Sequence, residues 1–413
     1  MESSTHNFLK KLQLFLPSKK ILIAYSGGLD SHVLLHLASQ MTDYSVRAIH
    51  VHHGLQKEAD HWVDHCQQVC DALNIPLQVE YLNLSKEKGE SVEELARTAR
   101  YAAFKKSVQA DEVLLTAHHQ NDQAETLLLQ LFRGAGVQGL AAMPQNSVFG
   151  VAHHARPLLN ETRESLEAYA QTHQLAFIED PSNQDSAFDR NFLRNEIIPQ
   201  LRNRWPSIDK TISRSASIQA ETKYMLEEVA EKDLLSITEN SQNKNTLLIN
   251  GLQEFSLQRQ KLLLRYWIQS NGFKAPSEKK LKHIFTDVID ASEDAQPLLA
   301  WDGAEIRRYQ GRLYIMSPLL EHDSAQVISW NDPQKSLEIP SLTLTLAALD
   351  LGEITESVTV RFRQGGETLL HAKRGVTISL KNLLNEARIP PWLRSRIPLV
   401  YQGKILIKVV GVD

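Results

Sequence analysis

Ser26, Asp30 and Ser31 fall within one six-residue stretch, Ser26-Gly27-Gly28-Leu29-Asp30-Ser31, directly after the apolar run 21–25. Glycines let a backbone approach a phosphate closely. A helix starting near Asp30 would aim free N–H groups and the positive end of its dipole at the same point. The two serine hydroxyls add donors. Asp30 alone would repel phosphate, so its place there fits a carboxylate that holds Mg2+ on the phosphates. An ordinary strand–turn–helix with Ser and Asp as caps is the plain alternative. The fully apolar strand ahead of the turn favours the phosphate site.

A second group is His118-His119-Gln120-Asn121-Asp122-Gln123-Ala124-Glu125-Thr126, after the apolar stretch 112–117. If a helix begins there, Asp122 and Glu125 share one face at i, i+3. Such carboxylates suit Mg2+ or the orientation of an amine; helix capping accounts for them equally well. Arg97 and Arg100 also share a face, and Arg133 follows the next helix. Forked guanidiniums suit phosphate, and plain exposed arginines are the simpler reading.

Two decoys carry no chemistry. Residues 134–139 spell G-x-G-x-x-G but follow a helical stretch, whereas a dinucleotide site needs strand–turn–helix. His50, His52, His53, His61 and His65 lack the H-E-x-x-H spacing and cysteine partners of a zinc site. His50 and His52 are expected at a strand end beside the nucleotide, and the others at the surface.

Hydrophobic period supplies the elements that position these groups. Strands are expected at 21–25, 47–51, 77–82 and 112–117, with helices at 32–40, 60–73, from Ser91 (capping box Ser91/Glu94) and 124–132. Alternating strands and helices imply a parallel sheet covered on both faces. Residues 161–215 read as helical with a loop at 179–183. Residues 216–320 read as mainly helical (252–268, 277–289), closing in a hairpin 304–309/312–316 that turns at Gly311. Residues 358–413 mix short strands (358–362, 405–410) with a helix at 379–387. The expected division is thus 1–215, α/β; 216–320, mainly helical; and 321–413, a linker and a small basic α+β domain.

The chain has 413 residues, 42% apolar and 23% charged, ordinary for globular domains. No window has the apolar length of a membrane span, and residues 1–20 do not read as a secretory signal. The only cysteines, Cys66 and Cys70, have the spacing of one helical turn and read as buried thiols of a reducing compartment, the cytoplasm. Net charge is −4, yet 361–408 holds ten Lys and Arg against Glu367 and Glu386, a local charge of +8. That basic end favours a polyanionic partner.

The S-G-G-x-D-S turn after the first strand resembles the PP-loop ATP pyrophosphatases (adenine nucleotide alpha hydrolase-like), which cleave ATP to AMP and pyrophosphate. The match narrows with H-V-H-H-G-L at 50–55, A-R-x-A-R-Y at 96–101, H-H-x-x-D-Q-x-E-T at 118–126 and R-G-x-G-x-x-G-L at 133–140. Arg156-Pro157-Leu158-Leu159, the segment from Glu179-Asp180-Pro181-Ser182-Asn183 to Arg190-Asn191-Phe192-Leu193-Arg194, and Ile389-Pro390-Pro391-Trp392-Leu393-Arg394 extend it over nearly the whole chain. Together they resemble the long bacterial form of the tRNA(Ile)-lysidine synthetase family. One departure stands out: Asn121 replaces the first of two consecutive aspartates usual in the family.

The resemblance implies ATP and Mg2+ as cofactors, and L-lysine and the CAU-anticodon tRNA(Ile) as substrates. ATP would adenylate the C2 oxygen of the wobble cytidine, and the lysine ε-amine would displace AMP. Decoding would change from AUG to AUA. Asp30 is then expected on Mg2+, Arg97 on phosphate or substrate, and Asp122 on metal or lysine. Ser26, Gly27, Gly28, Leu29, Asp30 and Ser31 would hold the nucleotide. Arg100, Glu125, Arg133, Arg190, Arg194, Lys373, Arg374 and Arg394 are the candidates for substrate or tRNA contact. Trp392 reads as a core residue in preference to a base-stacking one. No membrane partner is implied, and the oligomeric state stays open, a homodimer included. The rivals are a thiolating PP-loop enzyme, which would want better placed cysteines; an amidotransferase, which would want an early one; and a non-catalytic tRNA-binding protein, against which the intact six-residue turn argues.

Overall fold

The computed structural model describes residues 18–54, 58–82, 92–238, 244–292, 295–332, 335–339, 342–344, 357–371 and 376–412. It divides into two compact units, Met1–Val229 and Ala230–Asp413.

The first unit is built on a six-stranded sheet. Its strands are β1 (Lys20–Ala24), β2 (Ser45–His52), β3 (Leu77–Tyr81), β4 (Glu112–Leu115), β5 (Asn146–Phe149) and β6 (Ala152–Ala155), in the order β3-β2-β1-β4-β6-β5. Neighbours run parallel except β5, which pairs antiparallel with β6. The helices α1 (Leu29–Ser39), α2 (Ala59–Ala72), α3 (Val92–Ser107), α4 (Gln120–Phe132), α5 (Val137–Leu140) and α6 (Arg163–Thr172) connect or follow them.

β1 explains the layering. Alternate side chains of a strand face opposite sides of the sheet. Ile21, Ile23 and Tyr25 pack with Val33, Leu34 and Leu37 of α1, Cys66 and Cys70 of α2, and Leu166 of α6. Leu22 faces the other side, with Ile49, Leu114 and the α3 residues Ala103 and Phe104. Both faces are therefore covered, as a continuous apolar strand demands. Cys66 and Cys70 are free and fully buried, as their spacing suggested.

Sequence period located most elements and misjudged several edges. α4 starts at Gln120, four residues earlier than expected, because its first turn is polar. The hairpin β5–β6 was not expected; its strands have only four residues each. The proposed cap at Ser91 lies outside the described residues. Beyond α6, the loop expected at 179–183 carries a 3-10 turn, Pro181–Gln184. The chain continues through α7 (Asp189–Phe192), a π turn Leu193–Ile197, α8 (Ile198–Arg204) and α9 (Ile208–Ile237).

In the second unit a four-stranded sheet contains the expected hairpin, Ala304–Tyr309 paired with Arg312–Met316, and Gly311 turns with φ +71°. The helices Leu257–Ser270 and Glu278–His283 pack on it through Leu263, Trp267 and Leu281. A second four-stranded sheet includes Val358–Arg361 and Ile405–Val409, and beside it lies the helix Leu380–Glu386.

Candidate active site

β1 and β4 are parallel neighbours, so the turns that follow them emerge at the same sheet edge. The register pairs Ile23 with Leu115. Ser26 and His118 each lie three residues beyond that last pair, on the segments that leave the two strands at this edge. Ligands of open α/β sheets bind at such carboxyl ends.

The Ser26–Ser31 turn is tightly braced. Gly27 has φ +85°, and a Cβ there would meet Ile178 Cδ1 at 2.6 Å and Cys66 Sγ at 3.0 Å. The left-handed φ favours glycine, and any Cβ would also displace the tip of the Ile178 side chain. Ile178 N–H donates to the Gly27 carbonyl at 3.0 Å, which ties the turn to a distant segment. Ser31 Oγ donates to Gly28 O at 3.0 Å and accepts from Ser26 N at 3.2 Å, and the two serine Oγ atoms are 3.0 Å apart. Both serines therefore shape the turn directly, beyond the donor role their type suggested. Leu29 is buried and anchors the start of α1, while no side chain caps its N-terminus. The first-turn N–H groups of α1 are thus available to an anion.

Asp30 lies on that first turn. Arg163 Nη1 donates to both of its oxygens, at 2.9 and 2.8 Å. His119 Nε2 is 3.7 Å from Asp30 Oδ2 and 3.5 Å from Asp122 Oδ2, so one imidazole spans two carboxylates. Burial holds the Asp30 carboxyl above the ordinary range, opposed by His119 and Arg163. Arg163 escaped the sequence reading. The one local signal near it was Thr162, whose side chain caps α6 by accepting from Ser165 N at 3.2 Å.

Asp122 and Glu125 do share a face of α4, and both are buried. Asp122 Oδ2 accepts from the His119 backbone N–H at 2.9 Å, closing the helix start. Capping and placement in the site are therefore combined in one residue. Arg194 bridges the pair: Nε donates to Glu125 Oε1 at 2.7 Å, and Nη2 donates to Glu125 Oε2 at 2.8 Å and Asp122 Oδ1 at 3.2 Å. Arg190 adds an ion pair to Glu125 at 3.4 Å and a bond to Thr126 Oγ1 at 2.8 Å. Burial pushes the Asp122 carboxyl up, but His119, Arg190 and Arg194 together hold it well below the usual range. Burial raises Glu125, with Arg194 opposing.

Asn121, the departure from the family pattern, has a definite place. Its Oδ1 accepts from Arg163 N at 3.3 Å and its Nδ2 donates to Asp209 Oδ1 at 3.4 Å. An aspartate cannot donate to Asp209. Arg202 holds the other side of Asp209 at 2.6 Å.

The remaining candidates separate. Arg97 lies 5.0 Å above the Tyr101 ring and contributes to the positive field at His118. Arg100 is exposed and acts on His53. Arg133 is exposed just past α4. Arg190 and Arg194, read as tRNA contacts, are occupied by Glu125 and Asp122. Arg394, in the second unit, donates to Ile389 O and to Tyr309 Oη, both at 2.9 Å, which makes it a structural tie. Trp392, expected in a core from sequence, is instead half-buried, between Tyr309 and Tyr314 with Arg307 over its ring. Lys373 and Arg374 lie outside the described residues. His50 is buried with Nδ1 3.0 Å from Tyr25 O, a core histidine at the strand end.

The PP-loop domain family matches residues 1–201, so the braced turn on a helix N-terminus, beside carboxylates and arginines, belongs to an ATP-using PP-loop domain. The TilS substrate binding domain matches 247–314, and the TilS substrate C-terminal domain matches 358–413. The chain is 44% identical to the tRNA(Ile)-lysidine synthase of Coxiella burnetii, covering 98% of this chain and 91% of that one. It is 42% identical to the enzyme of an Enterobacter species (97% and 94%) and 40% identical to that of Haemophilus influenzae (95% and 95%). The chain belongs to the tRNA(Ile)-lysidine synthase family.

Proposed function

We propose that this enzyme joins the ε-amine of free L-lysine to C2 of the wobble cytidine in the CAU-anticodon tRNA(Ile), with ATP converted to AMP and pyrophosphate. The observation that carries this reading is the meeting of the Ser26–Ser31 turn with the Asp30, Asp122 and Glu125 carboxylates at one sheet edge. Residues 1–215 would do the chemistry, and 216–320 and 321–413 would hold tRNA.

The turn fits a nucleotide. Its glycine permits close approach, and its helix end is uncapped toward an anion. ATP supplies the adenylyl group that turns the cytidine C2 oxygen into a leaving group. Asp30 is the residue to hold Mg2+, and Arg163 would release it on loading. Among the described residues no group of three or more His, Cys, Asp or Glu is arranged to hold a metal ion. The ion would therefore take most of its oxygens from phosphate and water.

Asp122, held ionised, is a weak base and suits binding the lysine ammonium. Glu125, raised by burial, is better matched to accept a proton, provided Arg194 moves aside. Arg97 and Arg190 would hold phosphate or substrate by charge. The thiolating alternative finds no reactive sulfur: burial pushes the Cys66 and Cys70 thiols up to about 12.

The test is AMP release from ATP with this tRNA and each amino acid in turn. Release that depends on lysine supports the reading; release indifferent to lysine removes it.

A further inference from the structure

A chain of hydrogen bonds behind the site fixes the proton of one ring. Arg156 Nη2 lies 3.3 Å from His154 Nδ1. A guanidinium only donates, so this Nδ1 accepts and neutral His154 carries its proton on Nε2. That Nε2 is 2.8 Å from Thr116 Oγ1, which therefore accepts there. The hydroxyl's single hydrogen then goes to His118 Nδ1 at 2.9 Å. His118 accepts at Nδ1, and its neutral ring bears the proton on Nε2.

The relay is rigid. His154, Thr116 and Arg156 are buried, and Arg156 is pinned by donating from Nη1 to Pro144 O at 2.7 Å. Burial holds both imidazoles down at about 3, so neither is charged at neutral pH. Of the four, His118 alone is partly exposed, on the segment that leaves β4 beside the Ser26 turn. Arg156, Arg190 and Arg97 set a positive field around it against the negative charge of Asp122, so a phosphoryl oxygen would compete with that carboxylate for its N–H.

We propose that Arg156, His154 and Thr116 lock His118 as a neutral Nε2–H donor to a phosphoryl oxygen of the nucleotide. A neutral donor lowers the energy of growing negative charge without giving up its proton. His118 is the group that touches substrate; the other three are positioning residues. The role rests on the proposed adenylyl transfer, but the tautomer does not.

The test uses the full chain with 15N-labelled histidine. Imidazole nitrogen shifts should show His118 unprotonated at Nδ1 and protonated at Nε2 from pH 6 to 8. Thr116→Val should mix the tautomers and lower kcat about tenfold with KM for ATP within about twofold; Thr116→Ser should restore both. His118→Gln, which keeps a donor near the Nε2 position, should retain more activity than His118→Ala. A His118 protonated at Nδ1 overturns the relay. Scrambled tautomers in Thr116→Val with unchanged kcat overturn the donor role and leave the proposed function standing. Wild-type protein without lysine-dependent AMP release fails that function, whatever the tautomer.

Discussion

Arg194 lays its guanidinium along the fully buried Glu125, with Nε on Oε1 at 2.7 Å and Nη2 on Oε2 at 2.8 Å. Removing one partner strands the other charge in a low dielectric. Arg194→Ala should therefore destabilise the protein by about 2 kcal/mol, read from the urea midpoint. The double variant Arg194→Ala/Glu125→Gln should lose less than Arg194→Ala alone. A double-variant loss equal to the sum of the two single-variant losses would mean the pair is not coupled.

Asp30 is mostly buried, with 27% of its side chain exposed, and is bonded mainly to Arg163. Asp30→Asn should leave the melting temperature within a few degrees. It should cut AMP formation about a hundredfold or more, the scale of losing one charge-stabilising group. A fall in stability with activity intact would reverse the assignment.

Gly27→Ala places a methyl 2.6 Å from Ile178 Cδ1 at a left-handed φ. The strain is on the order of 1–3 kcal/mol, and the turn should relax by moving. The expected result is a lower melting temperature and a higher KM for ATP, both measured on the purified variant.

Asn121 donates to Asp209, and an aspartate would not. Asn121→Asp should cost about 1 kcal/mol by denaturant titration, partly offset by Arg202. Adding Asp209→Asn should recover it. No recovery would show that Asp209 is not the cause.

His53 is held down at about 4 by burial, reinforced by Arg100. The unfolded ring takes its proton near 6.5, so between these values the unfolded state binds more protons and stability rises with pH. The contribution is complete above about pH 6.5 and is lost as pH falls toward 4. Relative to wild type, His53→Gln should gain stability as pH falls from 7 to 5. A pH-independent gap in melting temperature would count against a neutral buried ring.

The apolar run through β1 and the helices behind it were legible because one strand buried on both faces leaves a continuous signature. Ser26–Ser31, Asp122 and Glu125 were legible because turn chemistry and i, i+3 spacing are local. Arg163 was not, since it meets Asp30 across 133 residues of sequence. Arg190 and Arg194 looked like solvent-facing cations because sequence does not reveal that Glu125 is buried beneath them. The Arg156–His154–Thr116–His118 relay was equally hidden, since β6 and β4 become neighbours only in the sheet.

The account's central claim concerns what is joined to what. The direct measurement is mass spectrometry of the anticodon nucleosides after reaction of the enzyme with CAU-anticodon tRNA(Ile), ATP and isotopically labelled lysine, with AMP counted in parallel. The predicted result is one labelled lysine on the wobble cytidine for each AMP formed. AMP formed with the cytidine unchanged, or label at another nucleoside, would contradict it.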